Sequence, residues 1–75
     1  MAKQAGPADG VYKRVELIGT STQSWEDAAK NAVETAGRTL RDLRIAEVEH
    51  MDLKIEDGKV RAYRTRLLVS FKLGN

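Results

Sequence analysis

The sequence predicts an α+β fold of order β-α-β-β, a three-stranded antiparallel sheet wrapped on one long helix. Three observations lead there. A β-branched run, VYKRVELIG, opens the ordered part of the chain at Val11–Gly19. An apolar stripe at three- and four-residue spacing follows Ser24. Two extended runs then flank the turn sequence EDGK.

The chain has 75 residues and no cysteine, so it is one small domain that disulfides cannot brace. Residues 1–10, MAKQAGPADG, carry no apolar run and read as a flexible tail; residues 11–75 form the domain. No segment approaches the ~18 apolar residues of a membrane span, and the tail lacks the core of a secretory signal. Together with the absent cysteines this predicts a cytoplasmic protein with no membrane partner. A net charge of +2 permits an anionic partner without requiring one.

In the first strand Val15 and Leu17 share one face, while Tyr12, Arg14, Glu16 and Ile18 share the other. Ser24 then reads as a helix N-cap, with Glu26 and Asp27 placing negative charge in the first turn. Trp25, Ala28, Ala29, Ala32, Val33, Ala36, Leu40 and Leu43 recur on one side of a helix about five turns long. Arg38, Arg41 and Arg44 crowd its predicted C-terminal end. A stripe built of alanine gains little from burial but lets a helix lie close to a sheet. Close approach is also the expected reason for Gly37 within the helix.

The second strand, Arg44–Glu56, changes phase along IAEVEHMDLKI. Ala46 and Val48 are apolar at even positions, whereas Met51, Leu53 and Ile55 are apolar at odd ones. A strand with one wet face should hold its phase. A bulge or bend within Val48–Met51 is therefore expected. The third strand, Arg61–Leu73, alternates cleanly, with Tyr63, Thr65, Leu67, Val69, Phe71 and Leu73 on one side. The helix crossover makes the first two strands parallel, and the hairpin runs the third antiparallel to the second. With the third, the most regularly alternating, between the other two, every pairing is antiparallel.

One helix covers one face of such a sheet. Val15, Leu17, Leu67, Val69 and Phe71 are expected against the alanine stripe. The other face is expected to expose Tyr12, Ile18, Ala46, Val48 and Leu68, or the reverse set along part of the second strand. Clustered apolar surface marks a contact, and self-association follows as the expectation.

The functional signals are sparse. GTSTQS before a helix has one glycine and no lysine where a phosphate loop needs it, and it reads as a cap. A single histidine, His50, without cysteine argues against a zinc site or a nucleophilic triad. Glu16, Glu47, Glu49, Asp52, Glu56 and Asp57 offer oxygen ligands for calcium, but only by convergence from different strands or subunits. Pairing of such carboxylates with Lys54 or Arg66 is the simpler reading. Arg61, Arg64, Arg66, Lys72, Lys13 and Arg14 make a basic stripe with few free aromatic residues, which predicts charge pairing and no nucleic-acid partner. An anionic small molecule held by the arginines, or a purely structural assembly, are the alternatives.

The stretches VYKRVELIGTSTQSWEDA, AGRTLRDL, EVE, IEDGKV and VSFKL together resemble the dodecin family over Val11–Leu73. The resemblance implies a hollow homododecamer of tetrahedral symmetry, with sheets inward and helices outward. It implies a non-enzymatic protein that binds a small ligand, by family habit a pair of flavins (riboflavin or FMN), at subunit contacts. The positions that match the family's site are Ile45, Ala46, Tyr63 and Arg64. Typical members carry a stacking tryptophan where this chain has Ile45, and a ring-edge glutamine where it has Arg64. Isoleucine offers no flat surface, and arginine donates hydrogen bonds without accepting them, so the flavin site is weakened. RIAEVEH followed by methionine and aspartate is similar to a divergent calcium-dodecin branch, which adds calcium as an expected ligand with no ligand residues assigned.

Overall fold

A computed structural model describes residues 10–73; the predicted tail, residues 1–9 of it at least, lies outside the described residues. The elements run β1 (Tyr12–Ser21), α1 (Trp25–Ala36), β2 (Leu43–Glu56) and β3 (Lys59–Lys72). They form one sheet of order β1-β3-β2 with both pairings antiparallel, as expected from the crossover and the hairpin. Asp57 and Gly58 both adopt positive φ, at 53° and 72°, which is the geometry of a two-residue type I′ turn.

The helix is shorter than the stripe predicted. It closes at Ala36 with Gly37 as its cap, so Gly37 ends the helix rather than lying inside it. The amides of Thr39 and Leu40 both donate to the Ala36 carbonyl, tightening the chain into turns. Asp42 at φ 59° then turns the chain into β2. Leu40 and Leu43 keep helical spacing without being helical: Leu40 lines the groove beside α1. Leu43 is the first residue of β2 and packs on the core cluster. Arg38, Arg41 and Arg44 fall outside the helix, and its last turn carries no basic residue.

Ser24 caps the helix as its side chain suggests, its Oγ accepting from the Asp27 amide at 2.9 Å. The Asp27 carboxylate takes the Ser21 hydroxyl at 2.7 Å, and Ser21 Oγ in turn accepts from the Gln23 amide at 2.8 Å. The loop's polar groups are thus satisfied from within, which is what the capping reading requires.

Burial is concentrated where α1 crosses β1 and β3. Leu67, Val69 and Thr65 are buried beneath Ala28, Ala32 and Ala36, with Val15, Leu17, Ala29 and Val33 partly buried around them. Trp25 and Phe71, expected in the core, are half-buried at its margin. The buried Thr65 hydroxyl donates to the Trp25 carbonyl at 2.9 Å and ties the start of the helix to the central strand. The close approach that the alanine stripe implies occurs at Gly19, not Gly37. A Cβ on Gly19 would stand 2.0 Å from the Ala28 carbonyl oxygen.

The phase change in β2 is a bulge. Val48 pairs with Leu67 and His50 with Arg66, leaving Glu49 as the extra residue. Further shifts occur between Leu43 and Ile45 and between Lys54 and Ile55. Cross-strand partners share a face, so the bulge keeps Ala46, Val48, Met51 and Leu53 on the side of Val69, Leu67, Thr65 and Tyr63. Ala46 and Val48 therefore lie on the helix side, which corrects their placement on the far face with Tyr12, Ile18 and Leu68. The helix barely reaches β2. Val48, Met51 and Ile55 remain 49%, 59% and 63% exposed in consequence.

The Gly19 contact yields a direct test. Gly19→Ala forces α1 off the sheet and should destabilise the fold by about 1–3 kcal/mol or more. Urea unfolding followed by circular dichroism reads this, and an unchanged midpoint would contradict the packing described.

Candidate functional site

The four positions singled out by resemblance divide between the two faces of the sheet. Ile45 pairs with Ser70 and Arg64 with Asp52, both on the far face. Ala46 pairs with Val69 and Tyr63 with Leu53, both on the helix side. Ser70 and Arg64 are six residues apart along β3, which is roughly 20 Å at strand rise. One chain therefore does not bring the four together.

Around Tyr63 the structure supplies an aromatic pair. Trp25 meets it edge-on, with ring centroids 5.2 Å apart and planes at 79°. The Trp25 indole N–H donates to the Asp52 carbonyl at 3.1 Å, so the start of the helix is fastened to β2 at this point.

Asp52 is the residue that sequence reasoning placed least well. Its carboxylate takes two parallel bonds from Arg64, Nε to Oδ1 at 2.7 Å and Nη2 to Oδ2 at 2.9 Å. This hydrogen bonding holds the Asp52 carboxyl below its ordinary value, opposed by desolvation and helped by the positive charges of Arg64 and Arg66. The same bond raises the Arg64 guanidinium. Counting pairs outward from the Asp57-Gly58 turn sets Asp52 opposite Tyr63. Arg61 is an extra residue in β3, and it shifts the register so that Arg64 stands there instead. No local signal in the sequence marks that shift.

The rest of the far face is also charge-paired. Arg14 meets Glu47 at 3.0 Å, and Arg66 lies between Glu16 at 3.2 Å and Glu49 at 3.8 Å. Lys54 pairs with Glu56 at 3.4 Å rather than with Asp52. Three members of the basic stripe, Arg14, Arg64 and Arg66, are therefore engaged within the sheet, as the charge-pairing reading expects. Such exposed pairs add little stability, but they set the polarity of the face.

Two hollows accompany these surfaces. An open groove of ≈ 580 Å³ runs between β1 and the outer flank of α1, past Val15, Leu17, Gly19, Ala32, Ala36 and Leu40. A smaller one of ≈ 180 Å³ on the far face is lined by Ile18, His50, Met51, Asp52, Arg64 and Arg66. Among the described residues no three His, Cys, Asp or Glu side chains lie together as a metal site. No helix in the described residues is long and apolar enough to cross a membrane.

Known proteins share this architecture. The dodecin family model matches residues 11–74. The calcium dodecin of Mycobacterium tuberculosis is 43% identical over 63 residues, spanning 84% of this chain and 89% of the relative. The crystal structure of that protein, described as calcium chelating with a novel calcium-binding site, superposes with a TM-score of 0.77 over 85% of this chain and 91% of its own. A dodecin from Thermus thermophilus is 41% identical over 63 residues, covering 84% and 91% of the two chains. The dodecin from Streptomyces davaonensis has 25% identity and a TM-score of 0.84, covering 89% of this chain and 98% of its own. Dodecins bind small ligands without catalysing a reaction, so this protein is not an enzyme. The strand order, the capped helix, the two-residue hairpin and a match across nearly every described residue place the chain in the dodecin family.

Proposed function

We propose that this protein closes with copies of itself into a homododecamer, in the cytoplasm, and holds a small ligand at the seams between subunits. The observation that carries this reading is the uncovered apolar strip of β2, Val48, Met51, Leu53 and Ile55, on the helix side of the sheet. Monomers rarely leave such a contiguous strip in water. The groove between β1 and α1 is a second apolar surface at the opposite edge of the same sheet. Contacts between unlike surfaces run head to tail and give closed assemblies when the rotation closes. Family membership supplies the twelve-fold count.

Ile45, Ala46, Tyr63 and Arg64 are proposed to meet across these seams, since a single chain spreads them over two faces. Flavin is the family's ligand and a weakened one here. Ile45 cannot stack on an isoalloxazine ring, and the Arg64 fork is already filled by Asp52. Calcium is the second reading, favoured by the 43% identity to the calcium dodecin. Its ligands would be far-face carboxylates contributed by several copies, because one chain's described residues do not gather three.

Native mass spectrometry should show a twelve-chain species, and Met51→Glu with Leu53→Glu should reduce it to smaller ones. Dilute wild-type protein sedimenting as a stable single chain would remove the shell and its seams.

Riboflavin titration should give weak fluorescence quenching with the wild type. Ile45→Trp with Arg64→Gln should tighten binding by roughly ten- to a hundredfold. Unchanged affinity would mean that these positions do not line the ligand.

Calcium added to chelator-stripped protein should raise the melting temperature, with about 2.7 kcal/mol of stabilisation at a hundredfold excess over Kd. A flat response would eliminate the second reading.

A further inference from the structure

We infer that Asp52 is a specificity-determining residue: its carboxylate fills the Arg64 fork as an internal oxyanion and closes the far-face hollow to ligand carboxylates and phosphates. This rests on the reading that Arg64 lies at a ligand-binding seam. The two parallel bonds at 2.7 and 2.9 Å are the contacts that a bound carboxylate or phosphate would make with the same guanidinium.

The carboxylate is preorganised for that role. Asp52 is held in register opposite Arg64, and its main-chain carbonyl takes the Trp25 indole N–H at 3.1 Å. A group fixed in this way competes at a high effective concentration, of order millimolar or above. The other arginine of the hollow, Arg66, has Glu16 and Glu49 within ion-pair distance, although its buried Nε makes no hydrogen bond. His50 stands opposite Arg66, and Ile18 supplies an apolar wall. With Asp52 in place both arginines lining the hollow face carboxylates, and removing Asp52 frees one fork in a space of ≈ 180 Å³. The Arg64 and Asp52 side chains are 43% and 54% exposed, so the pair is open to water and an external oxyanion can reach it. The consequence is discrimination by charge. The wild-type site disfavours anionic ligands relative to neutral ones of the same shape.

The test compares wild type, Asp52→Ser, Asp52→Asn and the double variant Asp52→Ser, Arg64→Gln. Inorganic phosphate, FMN and riboflavin are titrated by calorimetry, with circular dichroism and native mass spectrometry as controls. Asp52→Ser should bind phosphate and FMN about tenfold more tightly than the wild type and leave riboflavin unchanged. Asp52→Asn keeps the shape and one acceptor, so it should fall between them. Arg64→Gln should abolish the gain. Unchanged phosphate affinity in a folded Asp52→Asn or Asp52→Ser protein overturns the inference, as does a gain that survives Arg64→Gln. The phosphate arm needs no flavin, so failure of every variant to bind either flavin counts against the seam reading and leaves the Asp52 result to stand or fall on phosphate.

Discussion

A helix about 10 Å across can cover two strands spaced about 4.8 Å apart, but not three. This mismatch of widths organises the molecule. α1 lies over β1 and β3, and its small side chains and the missing Cβ of Gly19 bring it down onto them. β2 is left beyond its edge with apolar residues on the covered side and, apart from Trp25, little of the described chain above them. The core that results is small, built of Leu67, Val69, Thr65 and three alanines. A domain of this size gains little from such a core, and the apolar strip of β2 lies outside it.

The bulge at Glu49 matters because it acts on faces rather than on length. Without it, Met51 and Leu53 would point to the charged side of the sheet while Ala46 and Val48 pointed to the helix side. One inserted residue restores the phase and makes a continuous apolar strip from two short ones. Glu49 itself turns to the far face, where it meets Arg66. The same residue thus builds one surface and finishes the other. Bulges also disrupt an exposed edge, which discourages indiscriminate pairing of β2 with other strands.

The far face is polar by arrangement rather than by composition alone. Arg64 and Arg66 each meet a carboxylate on a neighbouring strand, Arg14 reaches across β3 to Glu47 on β2, and none of these pairs is deeply buried. Weak, exposed pairs suit a surface that exchanges partners, since what holds them competes with water and with dissolved ions. The Asp52–Arg64 pair differs from the others in having two parallel bonds and a backbone anchored by Trp25. It is the point where the aromatic pair on one side of the sheet and the charge lattice on the other are mechanically joined.

Local patterns in the sequence determined a good deal. The order of elements, the central place of β3, the Ser24 cap, the Asp57-Gly58 turn and the side of the sheet facing the alanines each follow from a few neighbouring residues whose preferences agree. The helix ends earlier than its stripe implies because Leu40 and Leu43 keep helical spacing while belonging to a turn and a strand. Hydrophobic periodicity reports which residues reach the core, not whether the chain reaching it is still helical. The pairing of Asp52 with Arg64, the placing of Ile45 on the same face as Arg64, and the close approach at Gly19 were decided only by the tertiary structure. Each depends on registers and distances between segments remote in the chain. The extra residue Arg61 moves every later pair without leaving a local mark, whereas the bulge at Glu49 shows in the phase change of β2.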